Sequence, residues 1–285
     1  MLRMCGVAVL AAVMGGCGGE YIFTVPEQVA PAGGEATIVA RLQRREFAWY
    51  KPAAGDVAIQ FRLEPSPLRA AYTDRQGYAA AGVPAPAAPG LYHVSVALQD
   101  KNGREASTFA PLYVLDARQP VVVVDLESLV LPYSTFEWRW PPEKTPPLTG
   151  GGASDARAAM EKLARGGLNI IYMTRRPPQD GPTIHAELTA GGFPDGPVLQ
   201  WQREDWRIVG EGIQTRIVMQ SRLVSQLPYL RKQFPLLVAG IGSSDMAIEA
   251  FTYAGLKCVI VGNTAATASY ATRRTSWADL AAKGL

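Results

Sequence analysis

Two carboxylates, Asp125 and Glu127, stand two residues apart directly after four consecutive valines, Val121 to Val124. Four β-branched residues in a row read as a strand buried on both faces, the kind found in parallel sheets. In open parallel sheets the ligand crevice lies outside the carboxyl ends of the strands. A carboxylate at such an end is held at a fixed point, where it can act as a nucleophile or a metal ligand. Two more strand-like runs end in chemistry that matches. Leu168 to Thr174 ends in a hydroxyl followed by Arg175 and Arg176, and Leu236 to Gly240 is followed by Ile241, Gly242, Ser243, Ser244 and Asp245. A carboxylate, a hydroxyl and a second carboxylate on neighbouring strand ends suit Mg²⁺-dependent phosphoryl transfer. Asp125 would attack phosphorus and form an aspartyl-phosphate, the hydroxyl and nearby backbone N–H groups would hold phosphoryl oxygens, and the other carboxylate would help hold Mg²⁺.

Such a site needs a rigid sheet, and the second half of the chain supplies the pattern for one. From residue 119 strand-like and helix-like runs alternate. Ser154 can cap a helix through Met160, Leu163 and Ala164 that stops at Gly166 and Gly167. A helix over Ser221 to Phe234 carries Pro228, which predicts a kink or a late start. Asp245 to Ala254 reads as a helix and Leu256 to Val261 as a strand. The alternation predicts a parallel sheet with helices on both faces over 119–265. The tail, 266–285, is small and polar, with a short helix over Ser276 to Ala282. Between the first strand and the first helix, Leu131 to Gly152 carries Trp138, Trp140 and five prolines. It reads as a long loop, either functional or packed on the surface.

Residues 25–117 have a different character. Glu35 to Arg41, Val57 to Leu63 and Leu91 to Leu98 are short β-rich runs separated by turn clusters at 31–34, 74–77 and 100–103. Phe61 to Leu63, then Thr73 to Ala79, then Gly90 to Val94 follow one another as in bacterial immunoglobulin-like domains of the surface-adhesin type. That resemblance implies an all-β sandwich before the parallel sheet.

The first sixteen residues read as a leader. Arg3 is the only charge, Cys5 to Met14 is apolar but short, and Met14, Gly15 and Gly16 precede Cys17. Small residues directly before a cysteine resemble a bacterial lipobox. The resemblance implies lipid on Cys17, a tether over 17–24 and a place in the cell envelope. Because Gly18 is not the aspartate linked to inner-membrane retention, the outer membrane is favoured, facing the periplasm or the surface. Cleavage would leave Cys258 without a disulfide partner, and its setting between Leu256 and Gly262 reads as a core strand. The chain has 285 residues, 48% of them apolar, and a net charge of +3 from scattered basic residues, so no footprint for nucleic acid exists. The only histidines are His93, expected on the sandwich, and His185, expected at the surface. No His/Cys cluster has zinc spacing. Ser243 and Ser244 lack the nucleophile-elbow pattern and read as a polar turn shaping the site.

Over roughly 140 residues the second half resembles the haloacid dehalogenase-like superfamily, and within it the lipin-type phosphatidate phosphatases and the related domain of phosphatidylinositol-transfer proteins. The motifs are the strand ends already described, together with Met173-Thr174-Arg175, the run Gly191 to Leu199, and Asp245 to Phe251. The resemblance implies a Rossmann-like fold, Asp125 as nucleophile and Glu127 as general acid/base. It implies Thr174, Arg175 and Arg222 on phosphate, and Asp125, Glu127 and Asp245 on Mg²⁺. Two departures stand out. Glu127 replaces the family's second aspartate and moves the carboxyl by about one methylene, a misplacement that can cost on the order of 10²-fold in rate. The family's lysine is missing, and Arg222, or second Arg216, is the substitute, with a different reach and fork geometry.

Three functions remain open on the sequence. One is an envelope-anchored phosphatase acting on a phosphorylated small molecule or lipid head group. Another is a catalytically impaired relative that binds such a ligand, a lipid or a partner protein. The third is an adhesive or structural lipoprotein in which the sandwich works on a protein partner.

Overall fold

A computed structural model of the chain describes residues 20–46, 51–99, 103, 105–129, 153–174, 176, 180–200, 207–208, 217–218, 222–262, 268 and 270–285. The protein is mixed α/β, with antiparallel sheets in the first half and a six-stranded parallel sheet in the second.

The first half holds eight strands: β1 (Glu20–Thr24), β2 (Gln28–Pro31), β3 (Glu35–Arg45), β4 (Ala58–Arg62), β5 (Arg69–Tyr72), β6 (Tyr78–Pro84), β7 (Gly90–Gln99) and β8 (Glu105–Leu115). They form a sheet of order β1-β3-β6 and another of order β2-β8-β7-β4-β5, antiparallel throughout except where β2 joins β8. Alternation explains the packing. In β3, Ala36, Ile38, Ala40 and Leu42 are buried while the residues between them are not, so one face meets Ile59, Phe61, Val94 and Leu112 from the other sheet in a common core. The turn before β6 depends on Gly77, whose φ is +82° and whose Cβ, if present, would stand 2.3 Å from the Leu42 carbonyl oxygen.

The second half contains β9 (Val121–Asp125), a 3-10 turn (Leu126–Leu129), α1 (Ala153–Arg165), β10 (Asn169–Thr174), α2 (Gly181–Ala190) and β11 (Val198–Gln200). A two-stranded ribbon of β12 (Arg207–Ile208) and β13 (Ile217–Val218) follows. The chain ends with α3 (Arg222–Gln233), β14 (Leu237–Gly242), α4 (Asp245–Tyr253), β15 (Cys258–Val261), β16 (Thr272–Arg274) and α5 (Trp277–Lys283). The parallel sheet has the order β11-β10-β9-β14-β15-β16. Successive side chains of a strand point to opposite faces, and both faces of β9 are covered. Val121 and Val123 pack with Leu227 of α3, with Phe234 just after that helix, and with Ile248 and Phe251 of α4. Val122 and Val124 pack with Met160, Ile184 and Trp277 of α1, α2 and α5.

The structure extends the sequence reading in three places. α3 runs through Pro228. α2 begins Gly181-Pro182, a start that hides the helix from a reading based on breakers, yet proline in a first turn lacks only an N–H that would have no partner there. Thr272–Arg274, within the stretch read as a tail, pairs in parallel with Val259–Val261 and forms the sixth strand, and α5 follows it. The two halves meet along a seam where Val29 and Tyr113 join the α3/α4 core and Gln233 Nε2 donates to the Glu35 carbonyl at 2.9 Å.

Candidate active site

The strand order reverses at β9: β10 and β11 lie on one side, and β14, β15 and β16 on the other. A crevice belongs at the carboxyl ends of β9 and β14, where the chain changes direction. Asp125 closes β9 at that point. It is 3% exposed, and Glu127, in the turn that follows, is 2% exposed. Carboxylates so deeply placed need hydrogen-bond donors. Asp125 Oδ2 accepts a hydrogen bond from the Ser128 hydroxyl and another from the Ser244 hydroxyl at 2.8 Å. Ser128 Oγ in turn accepts the Ser243 backbone N–H at 2.8 Å, and Trp277 Nε1 donates to the Ser128 carbonyl at 3.2 Å. The 3-10 turn, the loop after β14 and helix α5 are thereby locked around one carboxylate.

Ser244 has a second task. It caps α4, its side chain accepting the Ala247 N–H at 3.3 Å. The amino end of α4 therefore opens beside Asp125, and a helix amino end favours negative charge. Gly242 makes the close approach possible, because a Cβ there would stand 2.9 Å from the Asp125 Cβ.

Glu127 faces the neighbouring strand. Its Oε1 accepts a hydrogen bond from the Thr174 hydroxyl at 2.6 Å, and Thr174 Oγ1 accepts the Arg176 backbone N–H at 3.1 Å. The Arg176 guanidinium turns away to α2, donating to Glu187 Oε2 at 2.7 Å with Asp180 Oδ2 at 3.7 Å. It is thus a buried paired group, neither solvated nor directed at the crevice.

The structure brings together Asp125, Glu127 and Thr174 of the expected set. Asp245 is the first residue of α4 and Arg222 the first of α3. Both helix starts lie at the carboxyl edge of the sheet, because each helix runs antiparallel to the strands it connects; their side chains lie outside the described residues. Arg175, Arg216, Cys17 and the loop Leu131 to Gly152 also lie outside them. Ser128 was not foreseen, although a serine three residues after Asp125 in a short turn is the available signal. Ser243 and Ser244 do shape the site, as a polar turn would, and Ser244 also binds Asp125 directly. His185, expected at the surface, is part-exposed, and its Nε2 lies 2.6 Å from Glu27 Oε1 while its ring stacks on Tyr113. Cys258 is buried in β15, and burial pushes its thiol up, as suits a core residue. A cavity of ≈ 240 Å³ opens at the seam, lined by Phe23, Phe109, Pro182, Glu27 and Gln200 among others.

The donor chemistry at the crevice fits Mg²⁺, which takes hard oxygen ligands. Among the described residues no group of three or more His, Cys, Asp or Glu side chains converges on one point. Among the described residues no helix is long and apolar enough to cross a membrane.

No protein-family model matches the chain, and no curated protein matches it. Among solved structures the chain is similar to a carbohydrate acetylesterase from Xanthomonas citri, at 11% identity over 92% of this chain and 73% of that one, with a TM-score of 0.34. It is also similar to the chitinase ChiW from a Paenibacillus species (10% identity, 88% and 29% covered, TM-score 0.29) and to a Bacteroides ovatus GH5 xyloglucanase (8% identity, 84% and 65% covered, TM-score 0.24). Likenesses this slight carry neither fold nor activity to this chain. The resemblance to the haloacid dehalogenase-like superfamily and its lipin-type branch is corrected by the family comparison: no model of that superfamily, or of any other, matches the chain. The physical reason is that the resemblance rested on short polar motifs at strand ends. Any open parallel sheet that presents polar groups at its carboxyl edge can carry such motifs.

Proposed function

We propose that the chain is a phosphatase-like protein that uses Asp125 as nucleophile on a phosphate monoester. The observation that carries this reading is the setting of Asp125: end of the central strand, two hydroxyl donors on one oxygen, a helix amino end beside it, and a glycine opposite. We read the parallel sheet as Rossmann-like and the preceding sheets as an immunoglobulin-like sandwich that supports it.

Asp125 attacks phosphorus through a carboxylate oxygen, the bond to the ester oxygen breaks, and the leaving alkoxide takes a proton from Glu127. Glu127 then removes a proton from water, the water oxygen attacks the phosphorus of the aspartyl-phosphate, and inorganic phosphate leaves with Asp125 restored. Ser128 and Ser244 orient the Asp125 carboxylate. Thr174 holds Glu127, and N–H groups at the start of α4 offer donors to phosphoryl oxygens. Asp125, Glu127 and Asp245 would hold Mg²⁺, which supplies charge neutralisation for the phosphoryl group. Arg222 and Arg175 are the proposed phosphate-binding cations.

A second reading has one specific observation in its favour. The Thr174 hydroxyl is donated to Glu127 at 2.6 Å, so it is engaged within the protein rather than held open for phosphate. A site closed in that way suits a module that holds a phosphorylated ligand, lipid head group or partner without turnover. In both readings lipid on Cys17 anchors the protein in the bacterial cell envelope, at the outer membrane, and the sandwich is available to a protein partner.

The test is phosphate release from an aryl phosphate and from phosphatidate, with and without Mg²⁺, for the wild type and Asp125→Asn. Mg²⁺-dependent release lost in Asp125→Asn supports the nucleophile. Release that survives the substitution overturns it. Saturable binding of phosphatidate vesicles without release selects the second reading.

A further inference from the structure

The seam between the two halves contains a buried ionisable group that the proposed chemistry does not use. Glu27 lies between β1 and β2, is 6% exposed, and reaches across the seam. Its Oε2 accepts the backbone N–H of Val198, the first residue of β11, at 2.7 Å. Its Oε1 lies 2.6 Å from Nε2 of His185 on α2. One side chain from the β half therefore holds both the edge strand of the parallel sheet and the helix next to it.

The surroundings of His185 decide which protonation state the contact wants. Nε2 faces Glu27, and Nδ1 faces Asp195 Oδ1 at 3.9 Å. A neutral imidazole can give its single N–H to Glu27, whereas an imidazolium makes that bond charge-assisted and roughly twice as strong, with the Asp195 carboxylate, 3.9 Å from Nδ1 and beyond hydrogen-bond distance, adding only Coulomb attraction. Among the described residues the remaining titratable group against the ring is Tyr113 of β8, stacked on it at 6.1 Å between centroids and 14° between planes. Burial and the carboxylates of Glu27 and Asp195 hold the Tyr113 phenol neutral across ordinary pH by raising its pKa. It adds a flat apolar face and no competing charge.

We infer that Glu27 and His185 form a pH-sensitive clamp that fastens the N-terminal β sheets to the α2/β11 edge of the parallel sheet, tight when His185 is protonated and loosened when it is neutral. The hydrogen bond to Glu27 raises the His185 titration point above its ordinary 6.5 against a smaller opposing effect of burial, and the charges of Glu27 and Asp195 add to the rise. The sign follows from that direction. The clamp's contribution is complete below the ordinary value and is lost as pH rises through the raised value of the docked state. The clamp also reaches toward the candidate site, because α2 carries Glu187, which holds Arg176, whose N–H binds Thr174.

The experiment is nuclear magnetic resonance on the full chain, wild type, Glu27→Gln and His185→Gln. Two quantities are read: the titration of the His185 ring and the hydrogen exchange of the Val198 amide, corrected for intrinsic rate, at about pH 6 and about pH 8, on either side of the ordinary imidazole range. In the wild type His185 titrates above the ordinary value, and Val198 loses protection on the order of tenfold at the higher pH, the scale of losing a charge-assisted hydrogen bond. Glu27→Gln moves the His185 titration downward and removes the pH dependence of Val198. His185→Gln, which keeps Glu27 in place, removes that pH dependence too and serves if Glu27→Gln fails to fold. An unchanged His185 titration in Glu27→Gln, or equal Val198 protection at both pH values in the wild type, overturns the clamp.

Discussion

The two halves of the molecule bury different things. In the first half the core is apolar: Ile38, Leu42, Ile59, Phe61, Val94 and Leu112 fill it, and among the described residues its buried polar side chains are Glu27, Gln28 and Thr73. In the second half buried polar groups gather at one end of one sheet, namely Asp125, Glu127, Ser128, Thr174, Arg176, Gln200 and Ser243. Burying such groups costs free energy unless every partner is in place. A fold that tolerates the cost at one edge, and keeps valines a few residues below it, separates stability from chemistry within a single strand. β9 is that strand: Val121 to Val124 hold the sheet together and Asp125 serves the site.

If this contrast is right, substitutions in the two halves have opposite signatures. The largest stability effect belongs to the apolar core: Phe61→Ala, fully buried, is expected to cost about 3–5 kcal/mol on denaturant unfolding, while any phosphate release per folded molecule stays unchanged. Gly242→Ala is next. Its Cβ would press on Asp125 at 2.9 Å, an overpacking cost of about 1–3 kcal/mol, with release or ligand binding reduced more than stability accounts for. Ser244→Ala removes both the α4 cap and a donor to Asp125; about 1 kcal/mol is expected in unfolding, and phosphate release should fall while the β half keeps its protection in hydrogen exchange. The smallest effect belongs to the exposed pair Arg157 and Glu161 on α1, 3.7 Å apart, where Arg157→Ala should cost about 0.3–0.5 kcal/mol at most. A loss at that surface pair equal to the loss at Gly242 would erase the distinction between the polar edge and the rest of the protein.

The sequence made the same division legible only in part. β-rich composition exposed β3, alternation exposed β4 and β7, and the valine run exposed β9, because composition, periodicity and β-branching are local signals. β11, only Val198–Gln200, was too short to show a period, and β16 was hidden by its composition: Thr272, Arg273 and Arg274 read as a polar tail, yet backbone pairing with β15 makes them a strand. α2 was hidden by Gly181 and Pro182, residues that usually punctuate loops. At the site, Asp125, Glu127 and Thr174 were readable because each ends a strand-like run. Ser128, three residues after Asp125, left a local signal, but Ser244 was not readable as a partner of Asp125, since its role arises only when a loop 119 residues away closes on the same carboxylate. Glu27 and His185, 158 residues apart, illustrate the same limit. The family resemblance failed for a related reason: short motifs report what strand ends are made of, and many unrelated sheets are made alike.

The central claim is that Asp125 becomes phosphorylated. Rapid acid quench of the full chain turning over an aryl phosphate with Mg²⁺, followed by borohydride reduction and mass spectrometry, reads that directly. The account predicts reduction of the acyl-phosphate at Asp125, giving a homoserine-type residue at that position in the wild type and none in Asp125→Asn. Phosphate released with no trapped carboxylate, or a trapped carboxylate other than Asp125, would contradict it.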